Sequence, residues 1–167
     1  MTWLEEPCDV NSISAHAQLG PKLRELGIQL ATGEVAQHVN HGLDLFPHID
    51  AWQGDLSRFT MLDQIVLAIY GYKLKKEGGT APSFSTHAGG TALNSMAPHS
   101  IMTNYCLGLS SLEDVQIEHI DLFDHHFDPE PLVSNGRYQA PTAPGLVSVA
   151  ESAREFCDAS DTIWQKN

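Results

Sequence analysis

The stretch IQLATGE, residues 28–34, decides the fold, because it is a short apolar run that stops at a turn and a carboxylate, Glu34. The stretch IDAWQGD, residues 49–55, has the same form and ends in Asp55. A helix-like pattern over residues 35–46 separates the two runs. Strand-like runs that alternate with helical patterns are typical of βα units around a parallel sheet.

The alternation continues on both sides of these runs. It predicts strands at residues 2–4, 28–31, 49–52, 83–85 and 115–117, and helices at residues 12–26, 35–46, 60–72 and 91–105. We therefore predict an α/β fold of βα units around a parallel sheet for residues 1–127. Residues 128–167 are rich in proline and polar residues, and they predict an irregular tail that packs back on this α/β domain.

Ionisable residues stand at the end of every predicted strand: Glu5, Glu34, Asp55, His87 and Glu118. In a parallel barrel the carboxyl ends of all strands face one rim, where catalytic groups gather. Each of these residues taken alone is equally consistent with an exposed loop position, since charged residues are mostly solvated. Five in register indicate a functional site.

Composition excludes several classes of partner. Nine Lys+Arg against 21 Asp+Glu give a net charge of −12, which argues against a nucleic-acid or anionic-membrane surface. Three distant cysteines without a CxxC pair, Cys8, Cys106 and Cys157, argue against a disulfide framework or a structural zinc site. The first residues lack a signal-peptide pattern, and no apolar run reaches membrane-spanning length. We expect a cytoplasmic location.

Five motifs follow one another along the chain in a specific order: WLEEP (residues 3–7), ATGE (31–34), QGDLSR (53–58), HAGG (87–90) and IEH (117–119). Together they resemble the successive barrel motifs of the enolase superfamily. The resemblance implies that residues 1–127 form a partial (β/α) barrel of TIM type, the C-terminal half of an enolase-superfamily barrel. The mandelate racemase subgroup is the most similar, and within it the L-fuconate dehydratase-like sugar-acid dehydratases. The motifs FDHHF (123–127), NGRY (135–138) and APTAPG (140–145) extend the resemblance to residues 3–145.

The resemblance implies a role for each strand-end residue. Glu5 and Glu34 correspond to the second and third Mg²⁺ ligands, and carboxylate oxygens are the ligands that Mg²⁺ prefers. Asp55 and His87 correspond to a dyad in which the carboxylate orients a basic imidazole. Glu118 corresponds to the acid that hydrogen-bonds the developing enolate.

The implied reaction is the dehydration of a sugar acid (an aldonate). Removal of the α-proton gives an ene-diolate that Mg²⁺ stabilises. Loss of the β-hydroxyl then yields a 2-keto-3-deoxy acid.

Parts of the family pattern have no counterpart in this chain. These are the first three strands, with the first aspartate ligand and the Lys-x-Lys base, and the capping domain. We therefore expect little activity from the chain alone, and a non-catalytic truncated remnant or interaction protein is an alternative. A racemase or cycloisomerase of the same superfamily is another. Half a barrel leaves sheet edges open, which favours self-association or a complementary N-terminal half as partner.

Overall fold

The computed structural model describes residues 2–55, 58, 60–87, 116–117, 127–128, 133–138, 148–149 and 151. The elements up to residue 117 are β1 (Trp3–Glu5), α1 (Ile13–Glu25), β2 (Gln29–Thr32), α2 (Val39–Leu45), a 3₁₀ turn (Phe46–His48), β3 (Ala51–Trp52), α3 (Met61–Lys76), β4 (Ser83–Thr86) and β5 (Gln116–Ile117). The predicted helix over residues 91–105 lies outside the described residues.

The five strands form one sheet in the order β1-β2-β3-β4-β5, and every neighbouring pair is parallel. The register pairs Ala31 with both Glu5 and Ala51, and Ala51 with Ser83. Because consecutive strands are neighbours and run in the same direction, their carboxyl ends share one edge. The structure confirms the predicted α/β fold with a parallel sheet.

The core lies between the helices and one face of the sheet. Leu30 on β2 and Trp52 on β3 are buried there against Leu67 of α3. The Phe46 ring stands edge-on to Trp52 at 5.7 Å between centroids and to Phe84 at 5.8 Å. Each buried side chain of this size stabilises the fold by about 2 kcal/mol. The packing fixes β2, β3 and β4 relative to one another, and so fixes the edge where they end.

Two helix boundaries differ from the predicted ones by four residues each, and the other boundaries of the described helices agree within one residue. Helix α2 begins at Val39 rather than at residue 35, because the amide of Ala36 bonds to the carbonyl of Gly33 in a turn and His38 is extended. Helix α3 continues past residue 72 to Lys76. Its last turn carries three lysines, which the negative end of the helix dipole favours.

The described residues from 127 onward form four short strands, although the sequence predicted an irregular tail from residue 128. Strand β6 (Phe127–Asp128) pairs antiparallel with β9 (Ser148–Val149), and β7 (Val133–Ser134) pairs with β8 (Arg137–Tyr138). Asn135 and Gly136 join β7 to β8, and both have positive φ, as a tight hairpin turn requires. Asn-Gly is the sequence signal for such a hairpin. The domain boundary at residue 127 and the docking of the tail stay predictions.

None of the helices in the described ranges combines the length and the apolar character that a membrane crossing requires.

Candidate functional site

Four of the five predicted site residues lie in the described part of the chain, and all four stand at the carboxyl edge of the sheet. Glu5 ends β1, Glu34 follows β2, Asp55 follows β3 and His87 follows β4. Glu118 comes directly after β5 and lies outside the described residues.

His87 is the centre of the site. Its Nδ1 lies 3.0 Å from Oδ2 of Asp55, and its Nε2 lies 3.0 Å from Oε2 of Glu34. The Asp55 side chain is 2% exposed and that of His87 is 12% exposed, so the pair is largely shielded from water. When both carboxylates are ionised, both ring nitrogens donate and the imidazole is the cation. The structure thus brings three predicted residues into one chain of contacts.

Contacts with α3 fix the end of β3, which carries Asp55. The indole Nε1 of Trp52 donates to Oε1 of Gln64 on α3 at 2.9 Å. Gly54 lies so close to Gln64 that a Cβ at this position would overlap the carboxamide. Only glycine fits at position 54 in this arrangement. The glycine therefore lets the strand end run against the helix and sets the position of Asp55.

Glu6 holds the end of β2, which carries Glu34. Oε1 of Glu6 accepts hydrogen bonds from Oγ1 of Thr32 at 2.9 Å, from the amide of Gly33 at 2.6 Å and from the amide of Glu34 at 3.2 Å. All three donors of these bonds are neutral groups at the end of β2. No sequence signal marks such bonds, since they depend on how two neighbouring strand ends meet.

Glu5 and Glu34 are the residues that the resemblance implies as Mg²⁺ ligands. The Glu5 carboxylate is exposed and accepts a bond from Nε1 of Trp3 at 3.1 Å. Carboxylates at the ends of two adjacent strands suit Mg²⁺ by donor chemistry. In the described part of the chain, however, no group of three or more His, Cys, Asp or Glu side chains is arranged to hold a metal ion. The donors fit the cation in kind, and their roles stay a prediction.

The histidines of α2 form a separate feature. The rings of His38 and His41 lie 3.7 Å apart between centroids, and Nδ1 of His41 accepts a bond from the amide of Gln37 at 3.3 Å. Burial lowers the pKa of His41 below its usual value of 6.5, and the neighbouring His38 lowers it further. Among the described residues, the two histidines are not part of a group of three or more side chains that could hold a metal ion.

A parallel α/β sheet with an Asp–His pair and two further carboxylates at its carboxyl edge defines the class of (β/α) barrel that carries its chemistry on the rim. The chain belongs to the enolase C-terminal domain-like family, whose model matches residues 1–151.

Similar proteins include human mitochondrial enolase superfamily member 1, which is 28% identical over 173 residues. That alignment covers 98% of this chain and 37% of the relative. L-galactonate dehydratase of Hypocrea jecorina is 26% identical over 145 residues, covering 86% of this chain and 31% of the relative. The chain thus spans about a third of the length of these relatives.

Solved structures show the same fold. The crystal structure of human mitochondrial enolase superfamily member 1 superposes with a TM-score of 0.70 at 27% identity, covering 86% of this chain and 32% of the other. L-talarate dehydratase from Polaromonas sp. JS666, complexed with Mg and L-glucarate, gives a TM-score of 0.67 at 20% identity. It covers 93% of this chain and 39% of that structure. At this identity the second likeness shows the fold alone.

Proposed function

We propose that this chain is the catalytic-rim half of a magnesium-dependent sugar-acid dehydratase of the L-fuconate dehydratase kind. The observation that carries the proposal is His87, held through Nδ1 by the buried Asp55 and facing Glu34 through Nε2. A relative named L-galactonate dehydratase supports a sugar acid as substrate. The likeness to L-fuconate dehydratases in particular rests on the sequence motifs, which name the enzyme group and not its sugar acid.

Asp55 and His87 divide the work of proton transfer. Asp55 fixes the orientation of the imidazole and keeps a proton on Nδ1, so that Nε2 is the nitrogen that exchanges a proton with substrate. Dehydration removes the proton next to the substrate carboxylate and expels the hydroxyl on the following carbon as water. His87 donates the proton that the leaving hydroxyl needs, and the resulting enol tautomerises to the 2-keto-3-deoxy acid.

Two further roles complete the proposal. Glu118 hydrogen-bonds the developing enolate, as the resemblance implies. The base that removes the α-proton corresponds to the family's Lys-x-Lys pair, which has no counterpart among these 167 residues. The complete reaction therefore needs a complementary N-terminal half, or association that supplies its equivalent.

Glu5 and Glu34 would hold Mg²⁺. When bound, the cation supplies positive charge that stabilises the enolic anion of the substrate. Glu34 now contacts Nε2 of His87. If the Glu34 side chain rotated to bind a cation, it would move away from Nε2 of His87, the nitrogen that protonates the leaving group. The reaction needs no membrane, and the cytoplasm stays the predicted location.

A non-catalytic role is the second candidate. The described residues supply two of the three carboxylates that the family's metal site needs, and no cluster of three. A remnant that keeps the fold without turnover would show this arrangement. A racemase or cycloisomerase shares the removal of the α-proton and differs in the fate of the enolic anion.

The test mixes the purified chain with a segment that supplies the family's N-terminal half, adds Mg²⁺ and a panel of aldonates in D₂O, and follows 2-keto-3-deoxy acids by NMR. The dehydratase reading expects a Mg²⁺-dependent product that His87→Asn abolishes. Exchange of the α-proton for deuterium without dehydration would favour the racemase reading. No product from any aldonate, together with no Mg²⁺ binding by calorimetry, would end the enzyme reading for this chain.

A further inference from the structure

Glu6 adopts a backbone conformation that its side chain does not favour. Its φ is +44°, in the left-handed region that few residues other than glycine occupy. The residue stands directly after β1, and its amide still bonds to the carbonyl of Ala31 at 3.0 Å. Strain of this kind persists only where surrounding contacts fix it, and it concentrates at functional sites.

The contacts that fix Glu6 all come from the end of β2. A single oxygen, Oε1, accepts the hydroxyl of Thr32 and the amides of Gly33 and Glu34. Bonds that a carboxylate accepts are stronger than neutral ones, so three of them offset the strain at Glu6. The left-handed turn therefore ties the ends of β1 and β2 together, and these ends carry Glu5 and Glu34.

We propose that Glu6 is a positioning residue that sets the place of the Glu34 carboxylate. Glu6 accepts hydrogen bonds from the amides of Gly33 and Glu34, which lie on either side of the Gly33 Cα. The Glu34 side chain then reaches from this fixed backbone to within 3.0 Å of Nε2 of His87. Glu6 thus acts on His87 and on a bound cation through Glu34. This inference rests on the proposed function for the metal role of Glu34, but the backbone contacts can be tested without it.

Asp50, just before β3, offers a matched control because its side chain bonds the amino end of β2. Its Oδ2 accepts the amide of Leu30 at 2.9 Å, and its Oδ1 pairs with Nε of Arg24 at 2.7 Å. It is also a carboxylate that bonds a β2 amide, but it lies at the amino end, away from Glu34. Asp50→Ala therefore reports the effect of weakening β2 without disturbing the site.

The first experiment measures amide hydrogen exchange by NMR in the full chain. Glu6→Ala should speed exchange at Gly33 and Glu34 by about tenfold or more relative to Leu30, since the acceptor of both amides is lost. Asp50→Ala should do the reverse, speeding Leu30 alone. The exchange of the Nε2 proton of His87 should also accelerate in Glu6→Ala and not in Asp50→Ala.

Two further variants separate the carboxylate from the backbone strain. Glu6→Gly relieves the strain but lacks the acceptor, so exchange at Gly33 and Glu34 should stay fast. Glu6→Gln keeps an acceptor oxygen and should restore part of the protection. Both also keep the test valid if Glu6→Ala does not fold.

The second experiment measures Mn²⁺ binding by calorimetry, as a probe for the divalent site. Glu6→Ala should weaken binding about ten- to a hundredfold, as losing a residue that orients a ligand typically does, while Asp50→Ala should bind as the wild type does. If the wild-type chain binds no Mn²⁺, the metal part of the proposed function fails, and the exchange data decide the role of Glu6. The inference would be overturned if Glu6→Ala and Asp50→Ala weakened Mn²⁺ binding equally. It would also be overturned if, in Glu6→Ala, the amides of Gly33 and Glu34 exchanged no faster relative to Leu30 than in the wild type.

Discussion

At the scale of the residue, glycine decides how closely the strand ends approach one another. Gly33 has φ +131°, and a Cβ at this position would lie 2.9 Å from Cε3 of Trp52. It precedes Glu34 and also donates its amide to Glu6. Any side chain here would push the β2 end away from β3 and move the Glu34 carboxylate with it.

Gly33→Ala should therefore lower the free energy of unfolding by about 2–4 kcal/mol, because the unfavourable φ and the clash with Trp52 add. Gly27→Ala is the control, since Gly27 also has positive φ, +71°, but nothing within 4 Å of the added Cβ. It should cost only about 1 kcal/mol. Urea unfolding measures both values, and equal losses would show that the Trp52 contact does not matter.

The lowered pKa of His41 predicts that the folded protein becomes less stable as the pH falls below 6.5. The folded protein resists protonation of His41, mainly through burial, whereas the unfolded chain takes up the proton below its pKa of 6.5. Above that pH both states are neutral at this residue and the group contributes nothing. As the pH falls from 6.5 toward the folded pKa, the free energy of unfolding should decrease.

His41→Gln removes the titrating group, so its stability relative to the wild type should improve between about pH 7.5 and about pH 5. His38→Gln should give a smaller improvement, because His38 is the second cause of the shift after burial. Urea unfolding at the two pH values measures the difference. Parallel changes in His41→Gln and wild type would contradict the prediction.

At the scale of the element, α3 shows that a hydrophobic pattern can predict a helix without predicting which of its sides packs against the sheet. The apolar side that stands out in the sequence is exposed, with Leu62 at 69% and Ile69 at 59%. The side against the sheet carries Leu67, Gly71 and the polar Gln64. Because α3 is apolar on both sides, its periodicity predicts a helix but not which side packs. Gln64 decides this by its bond to Trp52, which no local pattern encodes.

The start of α3 is fixed by a cap that can be tested by itself. Oγ1 of Thr60 accepts the amide of Asp63 at 3.1 Å and donates to its Oδ2 at 2.8 Å. Thr60→Ala should cost about 1 kcal/mol of unfolding free energy. Ser12 occupies the same position at α1 but makes no side-chain cap bond, so Ser12→Ala should have a much smaller effect. Similar losses in thermal unfolding would show that the Thr60 bonds contribute nothing.

At the scale of the whole molecule, the sequence predicted the alternation of strands and helices over residues 3–86, the parallel sheet, and the shared edge where its strands end. These features derive from alternating patterns and from the rule that parallel strand ends meet. The contact between Glu34 and His87 and the three bonds of Glu6 were not predictable, since they depend on backbone turns and side-chain orientations where neighbouring strands meet. The roles of Glu5, Glu34, Asp55, His87 and Glu118 stay predictions.

The sheet also predicts how the chain behaves in solution. In the described residues β1 and β5 stand at the two ends of the strand order, each with one neighbouring strand. Open edges present unpaired amides and carbonyls that pair readily with other chains. We expect the purified chain to associate, so that light scattering after size exclusion gives a mass above that of one chain, rising with concentration.

The exposed side of α3 is a competing cause of association, and a double variant separates the two. Leu62→Lys with Ile69→Lys places charge on that side and leaves both sheet edges unchanged. If the edges drive association, the double variant should associate as the wild type does, and adding a segment that supplies the family's first strands should give a discrete complex. Loss of association in the double variant would assign it to α3 instead. A compact wild-type monomer that unfolds cooperatively would refute both causes, because it would show that these five strands need no further partner.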